Sequence, residues 1–238
     1  MAYGVAKKYY QCLYLGWMFL TLDVGSMSAT VFAVSNQKGG TGKTTLSMNL
    51  AAGLTRKGKT LLVDADPQGS ASQWAGLAPE QRPFPVSVIS VAGNLAREVG
   101  RFRQDYQYVV IDCPPTLETD AMKHAMSVSD KVLIPVLPSP VDLWASVRLA
   151  NTLEQISQTR PDLRAYLVVN QVEPRNALSR AMQDALQEFN IPALQSVLRR
   201  RAVFRTSAIE GASVYCIGKR GEAAAQEMNS IIEEVLQA

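Results

Sequence analysis

Residues 31–50 read V-F-A-V-S-N-Q-K-G-G-T-G-K-T-T-L-S-M-N-L. Val31, Phe32, Ala33 and Val34 form an unbroken apolar run, the pattern of a short strand buried on both faces. Three glycines follow within four positions, Gly39, Gly40 and Gly42. Without Cβ atoms they let backbone N–H groups crowd around an anion. Lys43 can reach the outer phosphates of such an anion, and the Thr44 hydroxyl can ligate Mg²⁺. Thr45 and Leu46 open a helix whose N-terminal dipole favours negative charge. Strand, phosphate-cradling loop and helix start therefore follow one another without a break.

Outward from this stretch, strands and helices alternate. Leu46, Leu50, Ala51 and Leu54 mark a helical face over Thr44 to Lys57, and Gly58 ends it. Thr60 to Val63 is a buried strand running into D-A-D-P-Q-G-S, residues Asp64 to Ser70. Further strands are expected at Val86 to Val91, Tyr108 to Ile111, Lys131 to Leu137, Ala165 to Asn170 and Ile191 to Val197. Helices are expected at Ser72 to Gly76, Asn94 to Arg103, Thr119 to Val128, Asp142 to about Thr159, Leu178 to Phe189 and Glu222 to Leu236. Such alternation predicts an α/β fold, a doubly wound and mostly parallel sheet with helices on both faces. Ligands of such folds sit at the carboxyl ends of the strands, where Asp64, Asp66 and Asp112 fall.

The usual phosphate-binding pattern is G-x-x-x-x-G-K-[ST]. Here Gln37 replaces the first glycine and an extra lysine, Lys38, follows it. The string K-G-G-T-G-K-T-T resembles the deviant Walker A box of the ParA/MinD family of P-loop ATPases. The resemblance implies an ATP hydrolase that uses Mg²⁺, weak alone and stimulated by a partner. Its nucleotide contacts would be Lys38, Gly39, Gly40, Thr41, Gly42, Lys43, Thr44 and Thr45. In that family the early lysine reaches the nucleotide of the other subunit, which makes Lys38 a catalytic group acting across an ATP-dependent homodimer. Asp112, ending the strand V-V-I, resembles the Walker B aspartate that holds Mg²⁺ with Thr44. V-D-A-D-P-Q-G resembles the family's third nucleotide motif, so Asp66 takes the role of orienting the attacking water and Asp64 supports the Mg²⁺ shell. Asn170, after Y-L-V-V, resembles the adenine-contacting asparagine, with buried capping as the other reading. The stretch from Pro135 to Asp142 resembles a proline-rich loop of short plasmid-partition ATPases, beside the nucleotide and the dimer seam. The resemblance covers Ala29 to about Ala238, the C-terminal third only in outline.

Composition sets the remaining bounds. With 238 residues, 47% of them hydrophobic and 19% charged, the chain can bury a sizeable core. A net charge of +3 is too small to argue for nucleic acid by itself. Cys12, Cys113 and Cys216 are sparse and lack metal spacing, which suits a reducing compartment. His124 reads as an ordinary helix residue. Residues Met1 to Ser26 form an atypical extension: Lys7 and Lys8 precede an apolar run from Cys12 to Leu22, like the first regions of a signal peptide. The preferred reading is a start site placed too early, with Met27 the true start and 27–238 a single ATPase domain; a membrane-touching N-terminal segment is the other reading.

Within the family, the closest likeness is to short, ParF-like partition and positioning ATPases, carboxysome-positioning McdA-type proteins among them. Between Arg199 and Arg220 lie six basic residues and one acidic residue. In ParA-type proteins this part of the fold binds DNA without sequence preference. Arg205, Lys219 and Arg220 are the expected contacts, while Arg199 to Arg201 follow an expected strand and face the nucleotide or the dimer seam instead. Glu227, Glu233 and Glu234 make the last helix acidic and unsuited to an anionic bilayer, so no stable membrane contact is expected. The reading is a cytoplasmic, nucleoid-associated ATPase that positions a plasmid, a chromosome region or a protein body with a small basic ParB-like adaptor. The alternative is a regulatory or assembly ATPase that switches a protein partner without touching DNA.

Overall fold

β1 (Thr30–Val34) lies in the middle of a six-stranded parallel sheet, between β4 (Tyr108–Asp112) and β5 (Lys131–Val136). The computed structural model describes residues 28–91, 93–115, 120–139, 152–173 and 191–238, without the side chains of 120–122. The other strands are β2 (Thr60–Asp64), β3 (Ser87–Ser90) and β6 (Arg164–Val169), and the order is β3-β2-β4-β1-β5-β6. The expected N-terminal extension and the helix expected at Leu178 to Phe189 lie outside the described residues, as do Pro140 to Asp142 and the start of the helix after them.

The period-2 geometry of a strand sends alternate side chains to opposite faces. Phe32, Val34, Leu62, Val110, Leu133 and Val168 join a core shared with α1 (Lys43–Leu54) and the C-terminal helix α6 (Glu222–Gln237). Val31, Ala33, Leu61, Val63, Val109, Ile111, Val132 and Ile134 join a second core under α3 (Leu95–Asp105) and α4 (Asp120–Val128). Both faces are covered, which is why these strands read as continuous apolar runs. α2 (Ser70–Gly76) follows β2.

α1 is more than the one-sided helix its sequence suggests. Met48, Asn49, Ala52 and Gly53 are buried alongside Leu46, Leu50, Ala51 and Leu54. At Gly53 a Cβ would come within 2.4 Å of both Ile232 Cδ1 and the Tyr215 hydroxyl, so glycine is what lets α6 approach. The buried Asn49 donates to Thr45 O and accepts from Val214 N at 2.9 Å, which satisfies its amide.

In the C-terminal third one expectation needs correction and one helix is not foreseen from the sequence. Ile191 to Val197 is not a strand: the segment runs beside β6 but makes only isolated bridges, Leu167 with Ala193 and, just beyond it, Val172 with Arg199. The Glu234 carboxylate takes the N–H groups of Gln195 and Ser196 at 2.7 and 2.9 Å, diverting them from the ladder. Further on, α5 (Ala202–Ile209) is a helix that the basic cluster concealed. It lacks a side-chain cap and mixes polar with apolar positions too evenly to show a period. The apolar face of α6, Ala224, Met228, Ile231, Ile232 and Val235, is buried in the core. No helix among the described residues is long and apolar enough to cross a membrane.

Candidate nucleotide site

The register of the sheet assembles the site. Val34 lies level with Asp112, and Asp64 with Asp112 on its other side. The glycine-rich loop therefore leaves β1 beside two strand-terminal carboxylates. Within it, Gly40 and Gly42 have φ of 78° and 92°, in the left-handed region that glycine enters without strain. Gly42 caps α1.

A cleft of about 230 Å³ opens along this loop, lined by Gly39, Gly40, Gly42, Lys43, Thr44, Thr45, Asp66 and Pro115. Lys43 is only 8% exposed, and its Nζ donates to the Lys38 carbonyl at 3.1 Å. Burial lowers its pKa, opposed by the nearby carboxylates of Asp112 and Asp66. That is a lysine held near carboxylates with one weak carbonyl partner, ready to exchange it for an anion. The Thr41 hydroxyl also donates to the Lys38 carbonyl, at 3.3 Å, and Lys38 N donates to Asn36 Oδ1 at 3.0 Å. The backbone of the early lysine is thus tied into the loop.

Asp112 is 1% exposed. Its Oδ1 accepts from Ser47 at 2.8 Å, and its Oδ2 is buried without a hydrogen-bond partner among the described residues. Burial pushes the pKa up to about 7; the hydroxyls of Thr44 and Ser47 pull it down, Asp64 raises it and Lys43 lowers it. An orphaned carboxylate oxygen beside a threonine hydroxyl is a donor set that fits Mg²⁺ or one of its waters. Asp64 has both oxygens engaged, by Asp66 N at 3.3 Å and Ser72 N at 2.8 Å. It shapes the turn that carries Asp66 and adds negative charge next to Asp112. Asp66 itself accepts from Gln68 N at 2.9 Å and faces the cleft.

Protonation of Asp112 is linked to folding. In the unfolded chain the carboxyl ionises near its ordinary value of 3.8, in the folded chain near 7. Below the unfolded value the group costs nothing. As pH rises through the folded value the full penalty of a buried charge develops. Asp112→Asn is expected to raise the melting temperature of the ligand-free protein at pH 8 and to change it little at pH 4. The same variant should lose the extra stabilisation that Mg²⁺ gives with nucleotide. A lower ligand-free melting temperature at pH 8 would contradict the burial account.

Next to the loop lies a wider cleft of about 500 Å³, whose lining includes Gly42, Thr45, Asn170, Gln171, Glu173 and Arg205. Arg199, Arg200 and Arg201 line the same cleft. Asn170 sits on its wall, but its amide is already engaged: Nδ2 donates to Thr41 O at 2.7 Å and Oδ1 accepts from Gln171 N at 2.8 Å. Arg199 and Arg201 pair with Glu227 of α6, Arg200 with Glu173, and Arg220 with Glu210. Arg205 is exposed and lines this cleft, and Lys219 and Arg220 stand exposed on a short 3₁₀ turn. Sequence reasoning misses Ser47, one helical turn after Lys43; its i+4 spacing from that lysine is the available signal. It also misses Glu227, whose partners Arg201 and Arg199 are 26 and 28 residues away in the chain and leave no local pattern. His124 is an exposed helix residue, and Cys113 is buried with its thiol pKa pushed up by burial.

A parallel sheet with a glycine-rich loop, a buried lysine and strand-end aspartates around one cleft defines a P-loop nucleotide-binding domain. The chain belongs to the CobQ/CobB/MinD/ParA nucleotide-binding family, whose domain it matches over residues 32–214. It is 43% identical over 214 residues to the maintenance of carboxysome distribution protein A of Halothiobacillus neapolitanus, covering 90% of this chain and 99% of that one. The protein of the same name from Gloeobacter kilaueensis is 35% identical over 217 residues, covering 86% and 93%. The fold is similar to that of Cyanothece McdA in an ATP complex, with a TM-score of 0.73 at 14% identity over 87% of this chain and 96% of that one.

Proposed function

We propose that this chain is a cytoplasmic, ATP-hydrolysing switch that dimerises on ATP, binds DNA without sequence preference and distributes carboxysomes. The observation that carries the reading is the cleft onto which Lys43, Thr44 and Asp66 converge, with Asp112 behind them. Identity to carboxysome distribution proteins along nearly the whole chain supports the cargo.

In this reading the N–H groups of residues 39–44 and Lys43 hold the triphosphate, and Thr44 and Asp112 hold Mg²⁺, which supplies charge neutralisation at the transferred phosphoryl group. Asp66 accepts a hydrogen bond from the attacking water and orients it. Asp64 keeps the Asp66 turn in shape. Lys38 adds its charge to the partner subunit's nucleotide, so the dimer is favoured while the γ-phosphate is present. A small basic adaptor stimulates turnover, and DNA holds the ATP dimer on the nucleoid.

One observation favours the alternative of a protein-partner switch without DNA. Four of the six basic residues between Arg199 and Arg220 are ion-paired within the chain. DNA retention by the Asp66→Ala protein in ATP and in ADP separates the two. Binding to unrelated duplexes in ATP only, at about 50 mM salt, is the expected result. A stable ATP dimer with no DNA binding would select the alternative.

A further inference from the structure

Asn170 turns its amide on the phosphate loop. It is 5% exposed, its Nδ2 lies 2.7 Å from the Thr41 carbonyl, and the contact joins residues 129 apart in the chain. A Cβ at residue 42 would come within 2.4 Å of that Nδ2, so the amide packs directly against loop backbone that only glycine leaves bare. The next residue supports it. Gln171 has φ of 57°, a left-handed conformation that a glutamine rarely adopts. That conformation goes with the Gln171 N–H reaching back to Asn170 Oδ1, and its side-chain Nε2 lies 3.5 Å from the Gly40 carbonyl. Backbone bonds from Asn170 N to Val136 O and from Val172 N to Leu198 O fix the end of β6 around the pair.

In a planar trans peptide the carbonyl and the following N–H point in opposite directions. Drawing the carbonyls of Gly40 and Thr41 toward β6 therefore turns the N–H groups of Thr41 and Gly42 away from it. An anion needs those N–H groups and is repelled by those carbonyls. We propose that Asn170, backed by Gln171, is a positioning residue for the triphosphate, holding the Gly40–Thr41 backbone in its anion-receiving orientation. This rests on the nucleotide reading above. It gives Asn170 work that does not depend on the base: one N–H and one lone pair remain on the amide, and the loop contact is complete without them.

The test is calorimetric binding of Mg²⁺–ATP and of Mg²⁺–tripolyphosphate, which has no base, to the wild-type protein, Asn170→Ala, Asn170→Asp and Gln171→Gly. Asn170→Ala is expected to weaken both ligands by the same factor, about tenfold for one buried hydrogen bond. Asn170→Asp should be weaker still for both, because a carboxylate then opposes the Thr41 carbonyl. Gln171→Gly removes the outer contact and should weaken both equally, about threefold. Should Asn170→Ala fail to fold, the Gln171→Gly pair of affinities decides. Loss confined to ATP would make Asn170 a base reader and overturn the proposal. Unchanged affinities, or a wild-type protein that binds ATP but not tripolyphosphate, would overturn it too. A wild-type protein that binds neither ligand would instead remove the nucleotide reading itself.

Discussion

Lys43→Ala is expected to lower ATP affinity by at least about 100-fold, while Asp66→Ala leaves affinity within about threefold and lowers turnover about 100- to 1,000-fold. The two residues line one cleft but stand in different surroundings. Lys43 is buried, and its ammonium has a carbonyl partner that a phosphate oxygen would displace as the stronger acceptor. Removing it takes away the side-chain charge set inside the loop. Asp66 is half-buried, and one oxygen is fixed by the Gln68 N–H. That restraint aims the carboxylate without adding to the attraction for a triphosphate, which a carboxylate repels. Its loss therefore appears in turnover. Binding by calorimetry and phosphate release under saturating Mg²⁺–ATP measure both. Asp66→Ala turning over at the wild-type rate would remove the water-orienting role.

The parts of this site that were legible in the sequence are those encoded over a few consecutive residues. The loop from Lys38 to Thr45 states its own backbone geometry through its glycines, and a carboxylate after an apolar run marks a strand end, as at Asp64 and Asp112. The doubly wound sheet followed from the same runs, because burial on both faces removes alternation. What could not be read locally is where long-range hydrogen bonds go. Asn170 presents the same letter whether it reads a base or clamps Thr41. The run I-P-A-L-Q-S-V has strand propensity, but Glu234 of α6 takes two of its N–H groups, 38 and 39 residues away. The arginines from 199 to 201 add to a basic cluster in the sequence, yet Glu227 and Glu173 stand beside them in the fold. Charge counts along a chain carry no information about pairing across the fold.

Lys38→Ala is expected to abolish the ATP-dependent dimer of the Asp66→Ala protein and, with it, most DNA retention. The Lys38 carbonyl already receives Lys43 and Thr41, so the backbone from which its side chain starts is fixed in the loop. Across the proposed seam that side chain would meet the partner subunit's phosphates in a water-poor site, where a charge-assisted contact is strong. The DNA consequence follows from which cations remain available. Arg199, Arg200, Arg201 and Arg220 each face a glutamate, which among the described residues leaves Arg205 and Lys219 without an ion pair. About two phosphates neutralised per protomer give about four per dimer and a slope of log K against log salt of about −3.6. Affinity should then fall about 150-fold between about 50 and 200 mM salt. The Lys38→Ala monomer keeps half the contacts, with a slope of about −2. Lys219→Ala in the dimer removes two contacts and should soften the slope by about two units without altering the mass in light scattering. Equal masses for the Asp66→Ala protein with and without Lys38→Ala in ATP would show that the lysine does not hold the dimer. A slope untouched by Lys219→Ala would move the DNA surface elsewhere on the protein.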